Sequence, residues 1–179
     1  RGRAGRLDKA PWTGVEPPSG PVEAAFQRPV LLGESIGPFR LLPREVLGVI
    51  PVDAGGKVLD AKAAARDGHR HLAAWLRDVE AKWAAHAARR TDGTLRMTLA
   101  ERIDHVRGLS QQVPVAGLRV AYSKAGIFLT AAIIEDATII VDHMAYWTVA
   151  RSLGEARYLT AILNSETVRA RVEPLLRRI

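Results

Sequence analysis

The sequence predicts an α+β domain: an antiparallel-rich sheet packed by C-terminal helices, with a long helical hairpin inserted. Three observations predict it. After Pro114, four short apolar runs follow one another with short connections, which favours antiparallel pairing. From Asp67 to Ala88 the apolar spacing switches to the period of a helix face. Two capping-box sequences, Thr98-Leu-Ala-Glu101 and Ser152-Leu-Gly-Glu155, mark helix starts before and after the strand-rich stretch.

Residues 1–25 hold Pro11, Pro17, Pro18 and Pro21 among several glycines, with no surviving hydrophobic period. Proline fixes φ and removes a donor, so this stretch reads as an extended arm, or as a linker from a missing upstream part. A first residue of Arg rather than Met fits a fragment. The domain proper is expected over residues 26–179. Arg28-Pro-Val-Leu-Leu-Gly33 and Val46-Leu-Gly-Val-Ile-Pro-Val52 are apolar runs bounded by Gly and Pro, hence strands, with a Pro-bounded loop at residues 37–43 between them.

In the stretch 67–88, Leu72, Leu76, Val79 and Trp83 form a seam, with Arg70, Arg77, Asp78 and Lys82 facing away. A helix of that length spans about 33 Å and calls for a second helix against it. Leu99, Ile103 and Val106 repeat the spacing after Thr98, so a helical hairpin is expected over about 67–112. Leu118 to Tyr122 alternates inside and outside, and Ile127 to Ile134 is nearly all apolar, as in a strand covered on both faces. Thr138 to Val141 and Ala145 to Val149 complete the four runs. Ser152 opens a helix that turns Ala156, Leu159, Ile162 and Leu163 to the sheet and ends at Asn164-Ser165; a last helix over 167–178 is expected to be interrupted at Pro174.

Composition narrows the chemistry. The chain has 179 residues, 47% hydrophobic and 25% charged, and no cysteine. A chain of this length buries roughly 70% of its unfolded surface and needs no staples. Disulfides, thiolate metal sites and thiol catalysis are excluded. No run approaches the roughly 18 apolar residues that span a bilayer, and no signal core opens the chain, so a cytoplasmic protein without membrane contact is expected. The formal charge is +7, from 26 Lys+Arg against 19 Asp+Glu. Such a surplus suits a polyanion, because cations set on phosphates release counterions.

Motifs for catalysis are scarce. No glycine-rich nucleotide loop and no Gly-x-Ser-x-Gly elbow is present. Asp142-His143 pairs a carboxylate with an imidazole, but strand neighbours point to opposite faces and would not bond without a turn. His69 and His71, two apart on a helix, diverge by about 200° and share no metal ion. No catalytic, cofactor or metal residue is therefore assigned. Basic groups offer more. Arg119, Tyr122, Ser123 and Lys124 cluster at a strand end beside the turn Ser123-Lys-Ala-Gly126, where a cation and a hydroxyl suit a phosphate or a base edge. Arg40 and Arg44 flank the Pro-bounded loop. Arg119, Ser123, Lys124, Arg40 and Arg44 are the candidate DNA contacts; a plain hairpin turn is the competing reading for Ser123 and Lys124.

The final third has a further pattern: Arg119-Val-Ala-Tyr-Ser-Lys-Ala-Gly126, Thr130-Ala-Ala-Ile-Ile134, Ile140-Val-Asp-His143, Ala145-Tyr-Trp147, Glu155-Ala-Arg-Tyr-Leu159 and Ala161-Ile-Leu-Asn-Ser165, in that order. It resembles the C-terminal target-recognition region of adenine-N6 DNA methyltransferases of bacterial restriction–modification systems, of the single-chain methylase or methylase–nuclease kind. The resemblance covers about residues 26–176 and is strongest from Arg119 to Ser165. It implies sequence-specific recognition of double-stranded DNA, with an upstream methylase domain of the same polypeptide as partner. That core would use S-adenosylmethionine through a glycine-rich loop and an Asn-Pro-Pro-Tyr/Phe motif. Neither occurs here, the one Pro-Pro being Pro17-Pro18 after Glu16. The fragment is therefore expected to be non-catalytic and to hold no cofactor, and Asp142, His143, Tyr146 and Trp147 are expected to support the fold. Two alternatives stand beside this reading: a protein-interaction module using helix 67–88 with Trp75 and Trp83 as anchors, and a small enzyme using Asp142 and His143.

Overall fold

The computed structural model describes residues 10–42, 46–115, 117–124 and 129–176, the last four without their side chains. The chain is α+β, with antiparallel-rich sheets, one long helix and C-terminal helices. It forms two compact units, each drawn from two stretches of sequence: Arg1–Gln27 with Val49–Val113, and Arg28–Gly48 with Pro114–Ile179. Among the described residues no helix is long and apolar enough to cross a membrane.

The first unit is helical. Helix α1 (Ala61–Arg66) starts at Asp60, whose carboxylate accepts from the Ala63 N–H at 2.6 Å. Gly68, at φ +87°, makes the turn into α2 (Arg70–His86). The first residue of α2 is preceded by His69, which supplies no side-chain cap. Glu23 does that work from a distance: its two oxygens accept from the N–H groups of His71 (3.0 Å) and Leu72 (2.8 Å). Free donors at a helix start need such an acceptor, and a carboxylate there also meets the positive end of the helix dipole. Glu80, from α2, returns the favour to α1 by accepting from the Ala61 N–H at 2.8 Å. Leu72 and Leu76 of the expected seam are buried, with Phe26, Leu59, Ala61, Ala64 and Ala73; Trp75 and Leu99 pack at the margin. Each buried Leu stabilises the fold by roughly 1.5–3 kcal/mol.

Two expectations are corrected in this unit. The helix partnering α2 most closely is the short α1, absent from the sequence reading; the second arm of the expected hairpin, α3 (Leu99–Ile103), is five residues long. And part of the stretch expected to be an extended arm or linker packs within this unit. Trp12 stacks on Trp83 at 5.3 Å, and Glu23 caps α2. Thr98 and Glu101 do form the reciprocal capping box at the start of α3.

The second unit is built on a three-stranded sheet. Strand β5 (Arg119–Ser123) lies between β6 (Ala131–Ile134) and β8 (Ala145–Val149), antiparallel to both, with Ala121 opposite Ala132 and Trp147. A second sheet holds β1 (Gln27–Leu31) between β4 (Leu47–Val49) and β7 (Ile140–Val141). The β1–β7 pair is parallel, so the third of the four runs leaves the sheet expected for it. Strands β2 (Ile36–Gly37) and β3 (Arg40–Leu41) form a small hairpin. One face of β5 packs through Val120 against Ala156 of α4 (Leu153–Leu163); its other face buries Ala121 with Leu31, Ile36, Ile134 and Val141. Helix α4 begins at Ser152, whose hydroxyl accepts from the Glu155 N–H at 3.1 Å, while the Glu155 carboxylate accepts from the Arg151 N–H at 2.6 Å, one residue before the position a capping box uses. Helix α5 (Glu166–Leu176) runs through Pro174 without the expected break.

Candidate nucleic-acid interface

The sheet of the second unit gathers exposed cations and aromatics at one end. Starting from its edge, the Phe39 N–H donates to the Ala131 carbonyl at 2.9 Å, Ala131 pairs with Tyr122, and Tyr122 pairs with Tyr146. Strand spacing of about 4.8 Å makes this row about 14 Å long, or about four rises of a nucleic-acid strand. Phe39 is 64% exposed and Tyr146 48%. The Tyr122 and Tyr146 rings lie 5.4 Å apart, and the Lys124 ammonium sits 5.3 Å from the Tyr146 ring, within cation–π range. Arg40 is exposed next to Phe39. Among the described residues neither Lys124 nor Arg40 has a carboxylate within ion-pair distance.

The five candidate contacts therefore separate. Lys124 and Arg40 belong to this exposed end. Arg44 lies outside the described residues. Ser123 is buried and works inward: its hydroxyl accepts from the Thr130 N–H at 3.1 Å, and the Thr130 hydroxyl donates to the Ile36 carbonyl at 2.9 Å. Ser123 thus ties the β2–β3 hairpin to the strand end that carries Lys124 and presents no surface of its own.

Arg119 is corrected outright as a surface contact, being fully buried. Its Nη2 donates to the carbonyls of Ile139 (2.8 Å) and Asp136 (3.2 Å), and the guanidinium lies 5.9 Å from the Trp147 ring. Its Nε and Nη1 have no partner among the described residues. Burial pushes the guanidinium below its ordinary value, and the Asp136 carboxylate partly opposes that. Phe39 carries no role in the sequence reading, Tyr122 is placed in the strand-end cluster without a contact role, and Tyr146 is expected there to support the fold. The alternation of β5 and β8 places Tyr122 and Tyr146 in one register row, but the link to Phe39 is long-range and leaves no local signal.

The remaining chemistry is thinner. Asp142 and His143 do hydrogen-bond, Oδ1 to Nδ1 at 2.8 Å, contrary to the expectation for neighbours on a strand. They occupy the turn between β7 and β8, where Asp142 also accepts from the Met144 N–H at 3.2 Å, so the strand rule does not apply to them. His143 has 79% of its side chain in solvent. His69 meets Phe26 edge-on at 4.8 Å, as a packed aromatic. Trp83, an anchor in the helix-docking alternative, is engaged within its own unit, donating Nε1–H to the Met97 carbonyl at 2.8 Å beneath Trp12. In the helical unit an open cleft of about 550 Å³ is lined by Arg96, Glu101, Asp104 and Arg107 among others. Two arginines face two carboxylates there, which gives the cleft no preference for a polyanion.

No protein-family model matches the chain, and no curated protein matches it in sequence.

Proposed function

We propose that this chain is a DNA-recognition domain, of the kind that presents duplex DNA to a methylase part of the same polypeptide in restriction–modification systems. The observation that carries the reading is the exposed end of the sheet, where Lys124 and Arg40, without an ion pair among the described residues, flank the exposed rings of Tyr146 and Phe39. The overall charge of +7 supports it. Lys124 and Arg40 hold the phosphate backbone and set the register of the domain, while the aromatics supply contact area toward sugars or groove edges. Arg119 keeps the sheet beneath them in shape. Methyl transfer, with S-adenosylmethionine, belongs to the upstream part. The residues present do not fit that cofactor, since no glycine-rich loop follows a strand, and no step of that reaction is derived through this chain.

A salt titration tests the reading. The chain should bind random duplexes with an affinity that falls steeply with ionic strength, and K124A and R40A should each reduce the logarithmic salt slope by about 0.9. Affinity indifferent to salt, or a double variant that binds like the parent, would overturn it.

A further inference from the structure

We propose that β8 is a docking edge for a second copy of this chain, the two strands pairing antiparallel about a two-fold axis at Trp147. The inference is independent of the DNA reading. Strand β8 lies at the edge of its sheet and reads Ala-Tyr-Trp-Thr-Val, aromatic and β-branched, with no charge and no proline. Edge strands ordinarily carry a lysine, a proline or a bulge to block further pairing. This one carries none of those residues. Around it, Met144, Tyr146, Val149 and Leu153 are 42%, 48%, 51% and 39% exposed.

The hydrogen-bond phase of the strand makes it self-complementary. The Lys124 N–H reaches the Met144 carbonyl and the Ala150 N–H reaches the Leu118 carbonyl, so the even-numbered residues of β8 bond to β5. The backbone groups of Ala145, Trp147 and Val149 consequently point away from β5. Of these, the Ala145 N–H is taken by the Asp142 carbonyl at 3.0 Å, while those of Trp147 and Val149 have no partner among the described residues. This outward set is symmetric about Trp147. In a two-fold pair, each Trp147 N–H meets the Trp147 carbonyl of the other copy, and each Val149 N–H meets its Ala145 carbonyl. The two sheets become one of six strands.

Charge supports a copy over an unrelated strand. Asp142, hydrogen-bonded to His143, stands at one end of β8, and Arg151, 3.6 Å from Glu155, stands at the other. Antiparallel pairing opposes the two ends, bringing Asp142 toward Arg151 of the second copy. Isologous interfaces of this kind are the commonest route to a dimer.

The test is sedimentation of the full chain over a concentration series, without nucleic acid, for the parent and V149K, with circular dichroism to confirm equal folding. The parent should pass from monomer to dimer, and V149K should weaken association roughly tenfold or more, as a charge on a pairing edge does. The chain has no native cysteine, so a second arm mixes Y146C and T148C proteins under oxidation. Residues 146 and 148 form a non-hydrogen-bonded pair across the axis, with Cα atoms about 4.5–5.5 Å apart, and the mixed disulfide should dominate. If V149K fails to fold, the disulfide arm decides. A monomer at every concentration, a dimer indifferent to V149K, or disulfides without preference for the mixed pair would overturn the proposal; the last two outcomes would indicate a different surface or partner.

Discussion

Arg119 shows how much one side chain decides. Its neighbours on β5 are Val120 and Ala121, both fully buried, and the guanidinium reaches the turn between β6 and β7, with two carbonyls and an indole for company. Two of its donors are unsatisfied among the described residues, and a buried unpaired cation is costly. Replacing it by an apolar side chain of similar reach removes the charge and keeps the volume. R119M is therefore expected to hold stability within about 1 kcal/mol of the parent or to raise it, whereas R119A, which leaves a cavity, is expected to cost roughly 2–4 kcal/mol. Urea unfolding distinguishes the two. Loss of stability in R119M as large as in R119A would mean that the carbonyl contacts, and not packing, justify the residue. On duplex DNA, R119M is expected to bind like the parent, because the side chain does not reach the surface.

At the scale of elements, carboxylates set where the helices of the first unit begin. At α3, the Glu101 carboxylate accepts from the Thr98 N–H at 2.7 Å and from its hydroxyl at 2.9 Å, and these bonds hold its pKa below the ordinary value. A carboxylate depressed in the folded state contributes stability that is present above its unfolded value and is lost as pH falls through the folded one. The difference in melting temperature between the parent and E101A should thus be full at neutral pH and should shrink toward zero as pH drops below the ordinary carboxylate range. A gap that persists in acid would place the contribution of Glu101 elsewhere. This cap was legible in the sequence because it is local: Thr98 and Glu101 are three residues apart. The cap on α2 was not, since Glu23 lies 48 residues from His71 and no spacing announces it. The same division explains the rest. Strand β5 was placed correctly, but its alternation was read as one wet and one dry face. It is covered on both, so the position assigned to solvent, Arg119, is interior. Helix α1 was missed because Ala-Lys-Ala-Ala-Ala-Arg carries no contrast from which to read a period. Of the candidate interface, Lys124 and Arg40 were found from turn chemistry and charge, while Phe39 joins their row through a contact 92 residues distant, between its N–H and the Ala131 carbonyl.

Over the whole molecule, the chain crosses between its two units three times, and this sets what can be cut away. The second unit takes its central sheet and C-terminal helices from Pro114–Ile179, but β1 and the β2–β3 hairpin come from Arg28–Gly48. Those segments are not trim. Strand β1 is the parallel partner of β7, through Val30 opposite Ile140 and Leu31 opposite Val141, and Leu31 and Ile36 fill the core face beneath Ala121 and Ala132. A parallel pair cannot be replaced by a local turn, because its strands must come from separated parts of the chain. A fragment covering 114–179 would therefore expose that core face and leave β7 without a ladder, and it should fail to unfold cooperatively. Joining residues 28–48 to its C-terminus through a flexible Gly/Ser linker restores both the strand and the apolar cover at the modest entropic cost of closing one loop. The permuted chain is expected to regain a single sigmoidal urea transition and slow amide exchange in β5. If the bare fragment already shows that transition, the second unit is held by its antiparallel sheet and α4 alone, and β1 contributes little to it.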